Sequence, residues 1–182
     1  WYNNGALNHG SEMKVTEAAI ATTADYRGFA DIVNVEKKTL NGTTIKLANS
    51  LKFNKSNEPV AKIGNSGSVC FDGTFDGQGH KLQNIGSMLF GTTDGATIKN
   101  IGLESGTVVQ NLTYAQYTGT LVGSCEGNDP TTISNCYSKV NLSSASNDAG
   151  GLVGKLYGTL SDSYYSGIIR VSGTVGGLIG SS

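Results

Sequence analysis

The chain has 182 residues, 37% of them hydrophobic, so it can build a packed core and is not an intrinsically disordered sequence. Thirteen Lys and Arg against fourteen Asp and Glu give a net charge of −1 with no basic cluster, which argues against nucleic acid and anionic membrane as partners. Gly is 26 of 182, about twice the usual ~7%, while Pro is only 2, so collagen-like and proline-rich linker classes drop out.

No run of 18 apolar residues is long enough to insert in a membrane as a helix. Trp1 stands first without a Met or a charged leader, and the chain is expected to be an excised or processed piece. Cys70, Cys125 and Cys136 are an odd, sparse set that fits neither a disulfide framework nor a zinc or redox motif, and all three read as small buried hydrophobes.

Residues 1–42 form a lead-in without repeats. His9 lies in a Gly/Asn-rich stretch and reads as a loop residue. Tyr26, Phe29, Ala30 and Val33 recur at i, i+3, i+4 and i+7, which predicts a short helix over 24–34. Thr23 is its expected N-cap, Asp25 complements the dipole in the first turn, and Asn34 or Gly42 is the expected stop. A single apolar stripe needs a partner, and the first coil of a stack would supply it.

From residue 43 to 182 the pattern becomes short β segments between turn residues. Thr44-Ile45-Lys46-Leu47 alternates as a half-buried strand does. A row of related segments follows: Lys81-Leu82-Gln83-Asn84-Ile85, Thr97-Ile98-Lys99-Asn100-Ile101, Thr132-Ile133-Ser134-Asn135-Cys136 and Thr159-Leu160-Ser161-Asp162-Ser163. A second row is Leu-x-Gly: Leu89, Leu121, Leu152 and Leu178 begin four copies spaced 32, 31 and 26 residues apart. Two rows in constant alternation, separated by turns of variable length, predict an all-β fold: a parallel β-helix in which each position forms a ladder from coil to coil.

Ile98, Ile133 and Leu160 should then be an inward ladder, and Asn100, Asn135 and Asp162 should occupy bends that tolerate left-handed φ. The glycines around Leu-x-Gly should form tight corners. Leu112, Val122, Leu142, Val153, Ile168 and Val175 are further core candidates. The array is still regular at Gly180-Ser181-Ser182, and further coils or another domain of the parent chain are expected to follow.

Asp72, Asp76 and His80 are the best candidates for acid–base chemistry. They lie in Phe71-Asp72-Gly73-Thr74-Phe75-Asp76-Gly77-Gln78-Gly79-His80. Paired carboxylates are what glycoside cleavage requires, but Asp-Gly and Gly-Gln-Gly are turn chemistry, and a structural role is the expectation for all three. Calcium at Asp72, Asp76 or Asp94 lacks the spacing of a known loop. We therefore expect no catalytic residue, no metal and no cofactor. The surface feature of interest is tyrosine. Tyr137 and Tyr164 occupy equivalent positions 27 residues apart and should stack on adjacent coils, and together with Tyr157 they are the candidate ligand-binding residues.

Gly150-Gly151-Leu152-Val153-Gly154 with Thr132-Ile133-Ser134-Asn135-Cys136-Tyr137 resembles the GLUG-motif repeat of bacterial cell-surface proteins, large secreted adhesins and the repeat region of IgA-cleaving metallopeptidases. Residues 71–80, Phe29 to Asn34 with Gly42 to Leu47, and Trp1-Tyr2-Asn3 are similar to the lead-in of such modules. The resemblance implies a right-handed parallel β-helix exported by a bacterium, serving as an adhesive or spacer module without catalytic residues. Possible partners are then a glycan or a host or cell-surface protein. Ser163 departs from the pattern by replacing a Cys, and Cys125 has no counterpart in the other coils. The alternatives are a carbohydrate-active β-helix enzyme, a polysaccharide lyase or hydrolase, and a purely structural spacer.

Overall fold

A computed structural model describes residues 16–54, 60–65, 69–110, 117–144 and 148–182. The Trp1-Tyr2-Asn3 start, His9 and Leu112 lie outside the described residues. The chain winds as a parallel β-helix: every strand pairing among the described residues is parallel, and each strand pairs with its counterpart in the next coil.

Five walls run along the stack. Wall 1 holds Glu17–Ile20, Thr44–Leu47, Thr74–Asp76, Thr97–Lys99, Thr131–Ser134 and Gly158–Ser161. Wall 2 holds Leu51–Lys52, Lys81–Gln83, Gly102–Leu103, Tyr137–Ser138 and Tyr164–Tyr165. Wall 3 (Thr107–Gln110, Asn141–Ser144, Ile169–Val171) and wall 4 (Tyr117–Thr118, Asp148–Gly150, Thr174–Gly176) belong to the later coils. Wall 5 holds Phe90–Thr93, Val122–Cys125, Val153–Lys155 and Ile179–Ser181. Strands of two to four residues have no independent stability, so the coil-to-coil hydrogen bonds and the shared core must hold them.

The two sequence rows fall on walls 1 and 5, with one correction: Lys81-Leu82-Gln83-Asn84-Ile85 does not join the first row, because coil register pairs Lys81–Gln83 with Leu51–Lys52 and Gly102–Leu103 on wall 2. On wall 1, Ile98 pairs with Ile133 and Ile133 with Leu160; the first two are fully buried and Leu160 is half-buried. The same ladder runs back through Phe75 and Ile45 to Ala18. On wall 5, Phe90, Val122, Val153 and Ile179 form consecutive rungs. Leu89, Leu121 and Leu152 are buried beside them, whereas Leu178 in the last coil is 37% exposed.

The bends after wall 1 behave as expected: Asn100, Asn135 and Asp162 have φ of 56°, 51° and 48°, and Asn84, after a wall 2 strand, has φ of 62°. Asx side chains make this left-handed conformation affordable by bonding locally. Asn135 Nδ2 donates to Asn100 Oδ1 at 2.8 Å, and Asn100 Nδ2 donates to Asp76 Oδ1 at 2.9 Å.

The glycines divide into two columns rather than one set of corners. Gly91, Gly123, Gly154 and Gly180 sit inside the strands of wall 5; a Cβ at Gly154 would lie 2.4 Å from Thr118 N and 2.5 Å from Gly123 O. The corners belong to Gly119, Gly150 and Gly176, where a Cβ would come within 2.2, 2.0 and 1.6 Å of the carbonyl three residues on.

Helix α1, Thr23–Asn34, closes over the first coils and matches the predicted span. Its N-cap is Thr22, one residue earlier than expected. The Thr22 side chain accepts from Asp25 N at 3.1 Å while the Asp25 carboxylate takes Thr22 N at 2.9 Å, a reciprocal capping box. The hydrogen bond from the Thr22 hydroxyl, with backbone donors of Ala21 and Thr22, outweighs burial and holds the Asp25 carboxyl below its ordinary value. Tyr26, Phe29, Ala30, Ile32 and Val33 are buried. Phe29 meets Phe71 at 5.6 Å and Phe75 at 6.1 Å, and the Tyr26 hydroxyl donates to Ala61 O at 2.9 Å. The strand Glu17–Ile20, ahead of the helix, already pairs with Thr44–Leu47.

Three core assignments change. Ile168 is 51% exposed because Ile169 is the rung that pairs with Leu142; the inward position is one residue later. Val175 occupies an inward rung, pairing with the buried Ala149, yet is 48% exposed in the last coil, where no described strand lies beyond it. Cys125 and Cys136 are buried as expected, but Cys70 is only half-buried.

Candidate functional site

Tyr137 and Tyr164 open their wall 2 strands and pair directly across adjacent coils. Their rings stack at 5.2 Å with planes 6° apart. The preceding rung is Gly102, and its lack of a side chain shapes the arrangement: a Cβ there would lie 2.4 Å from Cζ of Tyr137. The Tyr137 ring therefore lies back across the previous coil, and its hydroxyl donates to Glu104 Oε2 at 2.6 Å.

Glu104 is the centre of a charged lattice. Lys139 Nζ donates to its other oxygen at 2.8 Å and stands 5.6 Å from the centre of the Tyr137 ring, and Lys81 Nζ approaches to 3.8 Å. The Lys139 ammonium, then the Tyr137 phenol, hold the Glu104 carboxyl below its ordinary value. Burial and then the adjacent Glu104 charge push the Tyr137 phenol far above its own, and Glu104 raises Lys139. These ion pairs are exposed and screened by solvent, so they fix geometry more than they add stability. Tyr164 is 51% exposed.

The third tyrosine candidate does not join this patch. Tyr157 is half-exposed, but it precedes Gly158–Ser161 at the turn from wall 5 to wall 1, so a whole wall 1 strand separates it from Tyr164. Tyr165 turns inward instead. Its hydroxyl donates to Val140 O at 3.0 Å, and burial pushes its phenol up to about 12. Lys155 Nζ lies 4.9 Å over the ring of Tyr117 on another wall.

Asp72 and Asp76 serve separate pieces of backbone. The Asp72 carboxylate accepts from the Thr39 hydroxyl and from Leu40 N at 2.6 Å, tying the segment after α1 to the next coil. Asp76 is 6% exposed and accepts from Gln78 N and Asn100 Nδ2, both at 2.9 Å, with Lys99 Nζ at 3.5 Å. Burial pushes its carboxyl up, but those hydrogen bonds and the Lys99 charge outweigh it and leave it below its ordinary value. That is the wrong direction for a general acid near neutral pH. His80 contributes backbone contacts, donating N–H to Gly77 O at 2.8 Å and accepting from Gly102 N at 3.3 Å.

A cavity of about 200 Å³ opens beside the end of α1, lined by Lys37, Lys38, Cys70, Asp72 and Asp94 among others. Asp94 Oδ1 accepts from Asp129 N at 3.0 Å, so this carboxylate also organises a loop. Among the described residues no three His, Cys, Asp or Glu side chains group as metal ligands. Cys136 donates its thiol to Ser134 O at 3.1 Å, and burial pushes it up to about 11. Ser163 makes the same bond one coil later, to Ser161 O at 2.6 Å, which explains how Ser replaces Cys there.

Glu104, Lys139, Lys81 and Gly102 are absent from the sequence-based candidates. They stand at the variable positions of the rows and come together only through coil register. Once Gly102 is aligned with Tyr137, Glu104 is aligned with Lys139, and that alignment is the signal that could have found them. Comparison of the chain with protein-family models, with curated proteins and with solved structures finds no match.

Proposed function

We propose that this chain is a non-enzymatic extracellular module of a larger bacterial surface protein, acting as an adhesin-like binding region carried on a β-helical stalk. The observation that carries the reading is the stacked Tyr137–Tyr164 pair, half-exposed on wall 2 and set in a lattice of fixed charges. Rigid amphipathic rings offer contact area at little entropic cost, and fixed donors around them give direction to polar ligands. A β-helix holds such a surface stiffly and at a distance from whatever precedes or follows it. The GLUG-like repeats support the bacterial surface location. The engagement of Asp72 and Asp76 with backbone donors supports a structural role for both.

A glycan and host-protein array, run beside a lyase and hydrolase screen on soluble polysaccharides, tests this. Specific binding without turnover is expected. Turnover that disappears in Asp76→Asn would replace the reading with an enzyme, and silence in both assays would leave a spacer.

A further inference from the structure

The wall 2 patch has a chemistry of its own. Along one line of the stack stand Lys81, Gly102, Tyr137 and Tyr164, contributed by successive coils. At about 4.8 Å per coil this line is about 14 Å long, enough for a short oligosaccharide rather than one sugar. One ring face of Tyr164 is covered by Tyr137, and the residue remains 51% exposed. Tyr137 is different. Its hydroxyl is committed to Glu104, so it acts as a support that fixes the plane of Tyr164 and not as a free hydrogen-bonding group.

The charges beside the rings are unbalanced. A single carboxylate, Glu104, is shared by two ammonium groups and a phenol. Each ammonium has three N–H donors, and Lys139 directs one of them to Glu104. Lys81 and Lys139 keep side-chain exposures of 51% and 44%, so their remaining donors face solvent. An exposed flat ring beside donor-rich ammonium groups matches a sugar with an apolar C–H face and an anionic substituent.

The geometry points to an acidic-glycan subsite on wall 2: a uronate-bearing oligosaccharide laid along the coils, with a pyranose face on Tyr164 and a carboxylate at Lys139 and Lys81. This assignment rests on the binding-module reading above and narrows it to one ligand class. Tyr164 is the contact residue, Lys139 the charge-selecting one, and Glu104 and Gly102 are positioning residues.

The test titrates the whole chain with an oligogalacturonate of four sugars and with its methyl-esterified, uncharged counterpart, by calorimetry at low and moderate salt. The acidic form should bind at least tenfold more tightly, and raising salt should erode that margin, since exposed charges are screened. Tyr164→Ala should weaken binding of both forms at least tenfold, whereas Tyr164→Phe should retain most of it. Lys139→Gln should abolish the preference for the acidic form while the neutral form binds as before. Melting temperatures of the variants show whether each is folded. Equal affinity for the two forms, or tight binding by Tyr164→Ala, would overturn the subsite. If the oligogalacturonate fails but a neutral glycan or a protein binds on the array, the subsite falls while the binding-module reading stands; if nothing binds on either, both fall.

Discussion

Beneath helix α1 the core is aromatic: Phe29, Phe71, Phe75 and Phe90 meet one another at ring separations of 5.0 to 6.1 Å, in stacked and edge-on pairs. From Ile98 onward the same ladder positions hold Ile, Val and Leu, rung above rung. The difference follows from what each region must fill. A helix crossing the end of a stack leaves a gap of uneven depth, and large rings in mixed orientations close it. Coils repeating at a constant spacing need residues of constant size, and a branched aliphatic in every rung satisfies that. The aromatic end therefore works as one coupled cluster, while the repeat region is closer to a sum of neighbouring contacts.

The comparison is best broken at its centre. Phe75 is fully buried, touches rings on both sides, and also forms a wall 1 rung, so Phe75→Ala should cost about 3–5 kcal/mol in denaturant unfolding. Ile133→Val removes one methylene from a rung with like neighbours and should cost about 0.5–1.5 kcal/mol. Equal losses from Phe75→Ala and Ile133→Val would show that the aromatic end is no more demanding than the repeats. At the edge of the aromatic region, Thr22→Ala removes the capping box and should cost about 1 kcal/mol, read as a lower melting temperature.

The smallest effect is in pH dependence. The Asp76 carboxyl titrates below its ordinary value near 3.8, so its contribution to stability is complete above that value and is lost as pH falls through the folded-state value. Asp76→Asn should therefore flatten the loss of stability as pH falls below the ordinary carboxyl value near 3.8, and an unchanged acid transition would show that other carboxylates govern it.

Much of the fold was legible because a solenoid writes its geometry into its repeats. The inward row at Ile98, Ile133 and Leu160 and the left-handed row at Asn100, Asn135 and Asp162 depend on residues within one coil and could be seen as patterns. The Tyr137–Tyr164 pair was visible for the same reason. What escaped depends on finer registration. Ile168 and Ile169 are adjacent isoleucines, and only pairing with Leu142 decides which turns inward. Glu17-Ala18-Ala19-Ile20 does alternate, but with alanines as half of the strand it carries little β preference, and its role is set by pairing with Thr44–Leu47. The lattice around Glu104 links it to residues 23, 33 and 35 positions away, which no local pattern announces.

The amide ladder at the bends has a consequence best put in the language of polymer growth. Asp76 has only acceptor oxygens, so it initiates: Asn100 gives its N–H back to Asp76, and Asn135 gives its own back to Asn100. An Asn coil propagates, because it donates to the coil behind and still offers an oxygen to the coil ahead. Asp162 holds the equivalent bend but has no N–H to return, so an Asp coil terminates the relay. Duplicating an Asn-bearing coil would extend the relay without loss, whereas duplicating an Asp-bearing coil would break it and start another.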